Sequence, residues 1–265
     1  MSPSDVKMTK RLGTARTRRP LSAEERAVYE WQLNVAGFSE EGQKALRSAS
    51  VLVTRVGGVG GAAATALAAA GIGRLVLVHQ GNVHASDLNR QTLMSADWIG
   101  KPRVESALRR LKELNPRVAV EIHNINIGED NVCDLVASSD LVIDAAPLFR
   151  ERFLLNRATV EQGKPMVDSA MYELEAQLTT FLPGQGPCLT CLYPGDPPGW
   201  RRQFPVFGAV SSMIGSLAAM EAIKVLSGLG EPLVGRLLLA DLRDMSFRTV
   251  NIRRNLHCLV CRDHR

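Results

Sequence analysis

A chain of 265 residues, 45% hydrophobic and 22% charged, can bury a sizeable core and suits one large domain or two fused halves. No stretch reaches the roughly 18 to 20 uncharged apolar residues needed to span a bilayer, and Met1 to Pro20 lacks the apolar middle of a secretory signal, so no membrane association is expected and the chain is placed in the cytoplasm. Much of the net charge of +5 sits in Lys7, Lys10, Arg11, Arg16, Arg18 and Arg19, which reads as a disordered basic tail over residues 1–20 and not as a nucleic-acid surface.

After the tail, Ser22-Ala-Glu-Glu25 has capping-box spacing and predicts a helix running toward Trp31, followed by a second short helix over Glu40 to Arg47. The β-branched run Val51 to Thr54 predicts a strand that enters Gly57-Gly-Val-Gly-Gly61 and then an alanine-rich helix over Ala62 to Ala70. A strand at Arg74 to Val78 completes a right-handed βαβ unit. A helix over Arg103 to Leu114 and strands over Val118 to Ile127 and Leu141 to Asp144 extend the alternation into a Rossmann-like, doubly wound, mainly parallel α/β sheet. Beyond Lys164 the extended runs Gln177 to Leu182, Arg236 to Ala240 and Thr249 to Ile252 predict a mixed or antiparallel C-terminal extension, with a small-residue helix from Val210 to Leu226 between them.

Cys188-Leu-Thr-Cys191 and Cys258-Leu-Val-Cys261 carry the strongest local signal. Each CxxC lets two thiolates converge on one ion, and two pairs close a tetrahedral shell with no place left for substrate, so the reading is a structural zinc site. A thioredoxin-like redox pair needs its CxxC at a helix start, whereas Pro187 and Pro194 place the first pair in a loop. Cys133, beside Leu135 and Val136 on a predicted helix, reads as a half-buried thiol.

The glycine turn offers backbone amides and a helix N-terminus to a pyrophosphate, although Arg55 stands where such a turn ordinarily has its first glycine. A polar loop, Ser86-Asp87-Leu88-Asn89-Arg90-Gln91, follows the second strand, with Lys101-Pro102-Arg103 soon after. These residues fall beyond the carboxyl ends of the strands, where Arg90 and Arg103 can neutralise a triphosphate.

Together these pieces resemble the ThiF/MoeB/HesA family, bacterial relatives of ubiquitin-activating enzymes, over about Tyr29 to Cys261. The resemblance rests on Gly57-Gly-Val-Gly60, Asp87-Leu-Asn-Arg-Gln91, Lys101-Pro-Arg-Val-Glu-Ser106, Leu141-Val-Ile-Asp144, Ile214 to Lys224 and both CxxC pairs in order. It implies one domain over 21–265, with a nucleotide-binding half (21–155) and a carrier-binding, zinc and dimerisation half (156–265). It further implies ATP and Mg2+ as substrate and cofactor, a homodimer, and adenylation of the C-terminal glycine carboxylate of a ubiquitin-like or sulfur-carrier protein. Gly57, Gly58 and Gly60 would cradle phosphate, Asn89 and Arg90 would hold the triphosphate, and Arg103 would stand where the family has a lysine. Asp87, Gln91, Lys101 and Asp144 complete the nucleotide-binding set, the role of Asp144 left open.

The chain departs from the family at several positions. His79 replaces the acidic residue that grips the ribose, Pro147 the aspartate that organises magnesium, and Trp31 an arginine that reaches across the dimer. Trp200 to Phe207, where the family carries its acceptor cysteine, holds no thiol, so activation is expected to stop at the acyl-adenylate or pass to another protein. Two readings follow: an adenylyltransferase, or a catalytically degraded scaffold that binds a partner tail. A nicotinamide oxidoreductase is disfavoured, because it needs an acidic ribose ligand about 20 residues past the turn.

Overall fold

The structure is a computed structural model that describes residues 19–197 and 205–264. Nearly all of the expected basic tail, and most of the thiol-free stretch from Trp200 to Phe207, lie outside the described residues. In chain order, α1 (Ala23–Val28), α2 (Glu30–Leu33) and α3 (Ser39–Ser48) precede β1 (Ser50–Thr54). Then come α4 (Gly58–Ala69), β2 (Arg74–Val78), α5 (Arg103–Leu114), β3 (Ala119–His123), α6 (Val132–Ala137), β4 (Leu141–Asp144) and α7 (Phe149–Glu161). The chain closes with β5 (Met166–Tyr172), β6 (Glu175–Phe181), α8 (Leu189–Leu192), α9 (Gly208–Ser227), β7 (Arg236–Asp241) and β8 (Ser246–Asn251).

All eight strands form one sheet in the order β3-β2-β1-β4-β5-β6-β7-β8. The first five are parallel and the last three are added antiparallel, as the two halves of the sequence predict. Each central parallel strand is apolar on both faces, because helices cover both. Val51 and Val53 of β1, with Leu75 and Leu77 of β2, pack on the side of α4, α5 and α9. Leu52 and Val76 point the other way, against Leu135, Val136, Leu154 and Leu155 of α6 and α7. After β1 the chain winds to one side through β2 and β3, then returns to the opposite flank of β1 with β4. This reversal opens a crevice at the carboxyl ends of β1 and β4, where Thr54 Oγ1 spans the two strands between the Ile143 carbonyl and the Ala145 N–H, both at 3.3 Å.

Several expected boundaries move. The capping box at Ser22 forms, but the helix breaks at Tyr29, whose buried ring is anchored by Asn115 Nδ2 donating to its hydroxyl at 3.0 Å. β3 stops at His123, the last residue in register with β2. The helix predicted from Ala62 begins at Gly58, so the glycines form its first turn and are not a loop before it. Close packing demands them there: a Cβ on Gly60 would lie 2.6 Å from the Arg55 carbonyl oxygen, and one on Gly58 would lie 2.7 Å from Ser211 Oγ of α9.

By length and composition α9 could cross a membrane, contrary to the expectation that no stretch could. In this fold it is a core helix, with Val210, Ile214, Ala218, Ala219 and Ala222 buried against α4 and the sheet. Gly215 permits that approach, since a Cβ there would meet the Val59 carbonyl oxygen at 2.3 Å. Buried Glu221 is satisfied by Lys224, by the Thr180 hydroxyl at 2.6 Å and by the Leu233 N–H at 2.7 Å. Cys133 is exposed and not half-buried, because α6 turns Val132, Leu135 and Val136 inward.

Candidate active site and metal centre

The four CxxC cysteines converge, and their sulfurs all lie within 4.8 Å of one another. Cys188 Sγ is 3.9 Å from Cys191 Sγ and 3.6 Å from Cys258 Sγ, and Cys191 Sγ is 3.5 Å from Cys261 Sγ. None forms a disulfide. Sulfurs held tetrahedrally at about 2.3 Å from one ion are about 3.8 Å apart, so the cluster has the dimensions of a closed four-sulfur metal site. The first pair lies on a helical turn, not in the expected loop: Cys188 is the N-cap of α8 and Cys191 lies within it. Fully buried Asn156 of α7 orients that turn, its Oδ1 accepting from the Leu189 N–H at 2.9 Å and its Nδ2 donating to Thr190 Oγ1 at 3.1 Å. The cluster therefore ties Cys258 and Cys261 to the turn that Asn156 of α7 holds.

At the crevice, Gly57 caps α4 with no side-chain bond to the first turn, whose leading amides have no acceptor within the helix. Unlike Gly58 and Gly60, Gly57 has room, since a Cβ there would meet Gln91 atoms at 3.6 Å and the Arg55 carbonyl oxygen at 3.7 Å, all ordinary contacts. Arg55 adopts the left-handed conformation (φ 57°) that a glycine would take freely, and its guanidinium turns away to pair with Glu151, Nε donating to Oε2 at 2.8 Å.

Asp87 organises the polar loop. Its buried carboxylate accepts from Arg103 Nη2 at 2.7 Å, from Gln91 Nε2 at 2.8 Å and from the His84 N–H at 2.9 Å, and Arg90 Nη2 lies 3.5 Å away. Burial alone would raise its pKa, but the His84 amide and the Arg103 and Arg90 guanidiniums outweigh that and hold the carboxyl below its ordinary value. Arg90 is fixed further by Nη1 donating to the Ser86 carbonyl at 2.5 Å and to Asn89 Oδ1 at 3.0 Å. Asp87, Asn89, Arg90, Gln91 and Arg103 are thus one network beside the glycine turn, with two cations presented on it. Lys101 is held elsewhere, its ammonium 4.5 Å from the Trp98 ring centroid and donating to the Asp97 carbonyl at 3.2 Å.

Asp144 lies deeper. It is fully buried beside Asp168, its partner in the β4–β5 register, and Arg152 Nη1 donates to Asp168 Oδ1 at 2.8 Å. Burial, with the neighbouring Asp168 charge, pushes Asp144 up to about 7 against the opposing pull of Arg152. The spacing of the sequence gives no sign of this cluster, because its members come from two strands and a helix. Arg152 also lines a cavity of about 570 Å3 that opens over the antiparallel half between Phe149, Tyr172, Tyr193, Glu175 and Arg248. Trp31 is 87% exposed.

Residues 29–260 match the ThiF family. The chain belongs to that family. It is 48% identical over 233 residues to the heterocyst HesA protein of Trichormus variabilis, covering 88% of this chain and 87% of that one. It is 40% identical over 249 residues to the sulfur carrier protein adenylyltransferase of Thermus thermophilus, covering 91% and 92%. In fold it resembles E. coli MccB at a TM-score of 0.81, with 22% identity over 91% of this chain and 74% of that one. Within the ThiF family it is therefore of the ThiF/MoeB/HesA adenylyltransferase type. Relatives with adenylyltransferase names give no support to the degraded-scaffold reading.

Proposed function

We propose that this protein activates the C-terminal carboxylate of a ubiquitin-like or sulfur-carrier protein as an acyl-adenylate. The observation that carries the reading is the Asp87 network, which fixes Arg90 and Arg103 beside the uncapped N-terminus of α4 at the point where the sheet reverses direction. The relatives supply the chemistry, since the Thermus thermophilus protein is named for adenylation of a sulfur carrier and a Haloferax volcanii relative, 42% identical, is named a SAMP-activating enzyme E1.

In this reading the amides of the Gly57 to Gly60 turn receive phosphate oxygens while Arg90 and Arg103 spread their charge over the triphosphate. A carboxylate oxygen of the carrier attacks the α-phosphorus, the bond to the β-phosphate oxygen breaks, and pyrophosphate leaves with the electron pair. The protein contributes position and charge neutralisation. Magnesium, which the family uses, would screen the phosphates; proline at 147 cannot ligate it, leaving no side-chain oxygen at that position. The cavity over the antiparallel half, bounded by Arg152, Tyr172 and Tyr193, suits an extended tail leading to the crevice. The four-cysteine cluster holds zinc, which is structural. A cytoplasmic homodimer, with Trp31 at the subunit contact, completes the assignment.

The test is ATP–pyrophosphate exchange with purified carriers that end in two glycines. Carrier-dependent exchange that falls at least a hundredfold in Arg103→Ala is expected. Absence of exchange, together with absence of any ATP-induced thermal shift in the wild type, sinks the reading.

A further inference from the structure

His79 immediately follows β2, about 20 residues past the glycine turn, where doubly wound nucleotide-binding folds place the side chain that meets the ribose hydroxyls. Among the described residues its Nδ1 is one of a few buried side-chain polar atoms without a hydrogen-bond partner. A neutral imidazole carries one N–H donor and one lone-pair acceptor on its two nitrogens. Burial, and then the Arg103 and Arg55 guanidiniums, push the ring down to about 3, so it stays neutral at physiological pH. What remains is Nδ1, a ring nitrogen at the end of β2 with no partner in the protein.

Resting on the reading of this crevice as an ATP site, we infer that His79 Nδ1 accepts a hydrogen bond from one ribose hydroxyl, as a neutral substitute for the family's acidic ribose ligand. The donor follows from the chemistry of the ligand. A polyphosphate at neutral pH offers essentially acceptors and is drawn to Arg90 and Arg103, whereas the ribose brings O–H groups to the end of this strand. The substitution also changes selectivity. A carboxylate has two oxygens and can bridge both hydroxyls, but a single nitrogen lone pair serves one, so the protein should depend on one ribose hydroxyl and tolerate loss of the other.

The experiment is calorimetric titration of the full-length protein with ATP, 2′-deoxy-ATP and 3′-deoxy-ATP, for the wild type and His79→Ala. One deoxy analogue should match ATP while the other binds about tenfold more weakly, a difference of about 1.4 kcal/mol. In His79→Ala all three should converge at the weaker value. The 15N resonance of His79 Nδ1 should shift with ATP and not with the disfavoured analogue, a readout that stands even if the alanine variant does not fold. Wild-type affinities within twofold for all three nucleotides, or discrimination that survives in His79→Ala, overturns the role of His79 and leaves ATP binding intact. No ATP binding at all removes the adenylyltransferase reading, and this inference falls with it.

Discussion

Arg103 and Asp87 meet through two guanidinium nitrogens on one carboxylate oxygen, Nη2 at 2.7 Å and Nε at 3.2 Å. The side chains are 13% and 5% exposed, so this pair is not a surface bridge whose loss goes unnoticed. Removing one member of a buried pair leaves the other charge without compensation, at a cost of about 3–5 kcal/mol. Asp87→Ala should approach that loss in urea denaturation. Asp87→Asn keeps an acceptor for the His84 N–H and should lose about 1–3 kcal/mol. Wild-type stability in Asp87→Ala would show that the loop is held by something else.

The glycine turn separates packing from ligand contact. Gly60→Ala puts a methyl 2.6 Å from the Arg55 carbonyl oxygen, which is backbone and cannot swing aside, so the melting temperature should drop by several degrees. Gly57→Ala meets only ordinary contacts at 3.6 Å and should melt close to the wild type. The same methyl would stand where phosphate must approach, so its ATP affinity should fall about tenfold or more. Equal ATP affinity in Gly57→Ala and wild type would move the phosphates away from this turn.

For the cysteine cluster, elemental analysis of the purified protein should give one zinc per chain. Cys258→Ser should lower that occupancy and the stability together, because metal-binding free energy here is folding free energy. A strong chelator should have the same effect on the wild type. Full stability after quantitative removal of metal would reduce the cluster to four packed thiols.

Asp144 makes a pH prediction of definite sign. Its folded pKa of about 7 lies above the ordinary value of 3.8, so the folded state holds a proton that the unfolded chain releases. The stabilisation is complete below about 4, declines as pH rises, and is gone above about 7. Asp144→Asn, a neutral amide of the same shape that does not titrate, should lack this decline. The difference in unfolding free energy between variant and wild type, followed from pH 4 to 8, cancels the opposite contribution of Asp87 and reports the interacting Asp144–Asp168 pair. A pH-independent difference would show that Asp144 ionises normally.

The sequence was most legible where one stretch of chain closes its own chemistry. β2, α5 and β4 have the boundaries that period and punctuation predict, since each is bounded by local glycine, proline or polar signals. The loop from Asp87 to Gln91 also builds its network largely within itself, so its residue types already announced it. Elsewhere tertiary packing overrode local reading. α4 starts at Gly58 because β1 and α9 crowd that turn, which a helix propensity scale reads as a break. The membrane-like apolarity of α9 answers to burial on several sides, which composition cannot distinguish from lipid.

The amino-acid order alone determined the doubly wound class, the pairing of two CxxC motifs and the cations that could face a triphosphate, because these depend on short-range periodicity and on side-chain chemistry that no fold alters. Only the folded chain decided that Arg55 turns to Glu151, that Lys101 lies on Trp98, and that Asp144 shares a buried site with Asp168 and Arg152. It alone decided that His79 is neutral with its Nδ1 unpartnered. A side chain's direction and charge state are set by dielectric, by neighbouring charge and by the acceptors within reach, and those come from segments far apart in sequence.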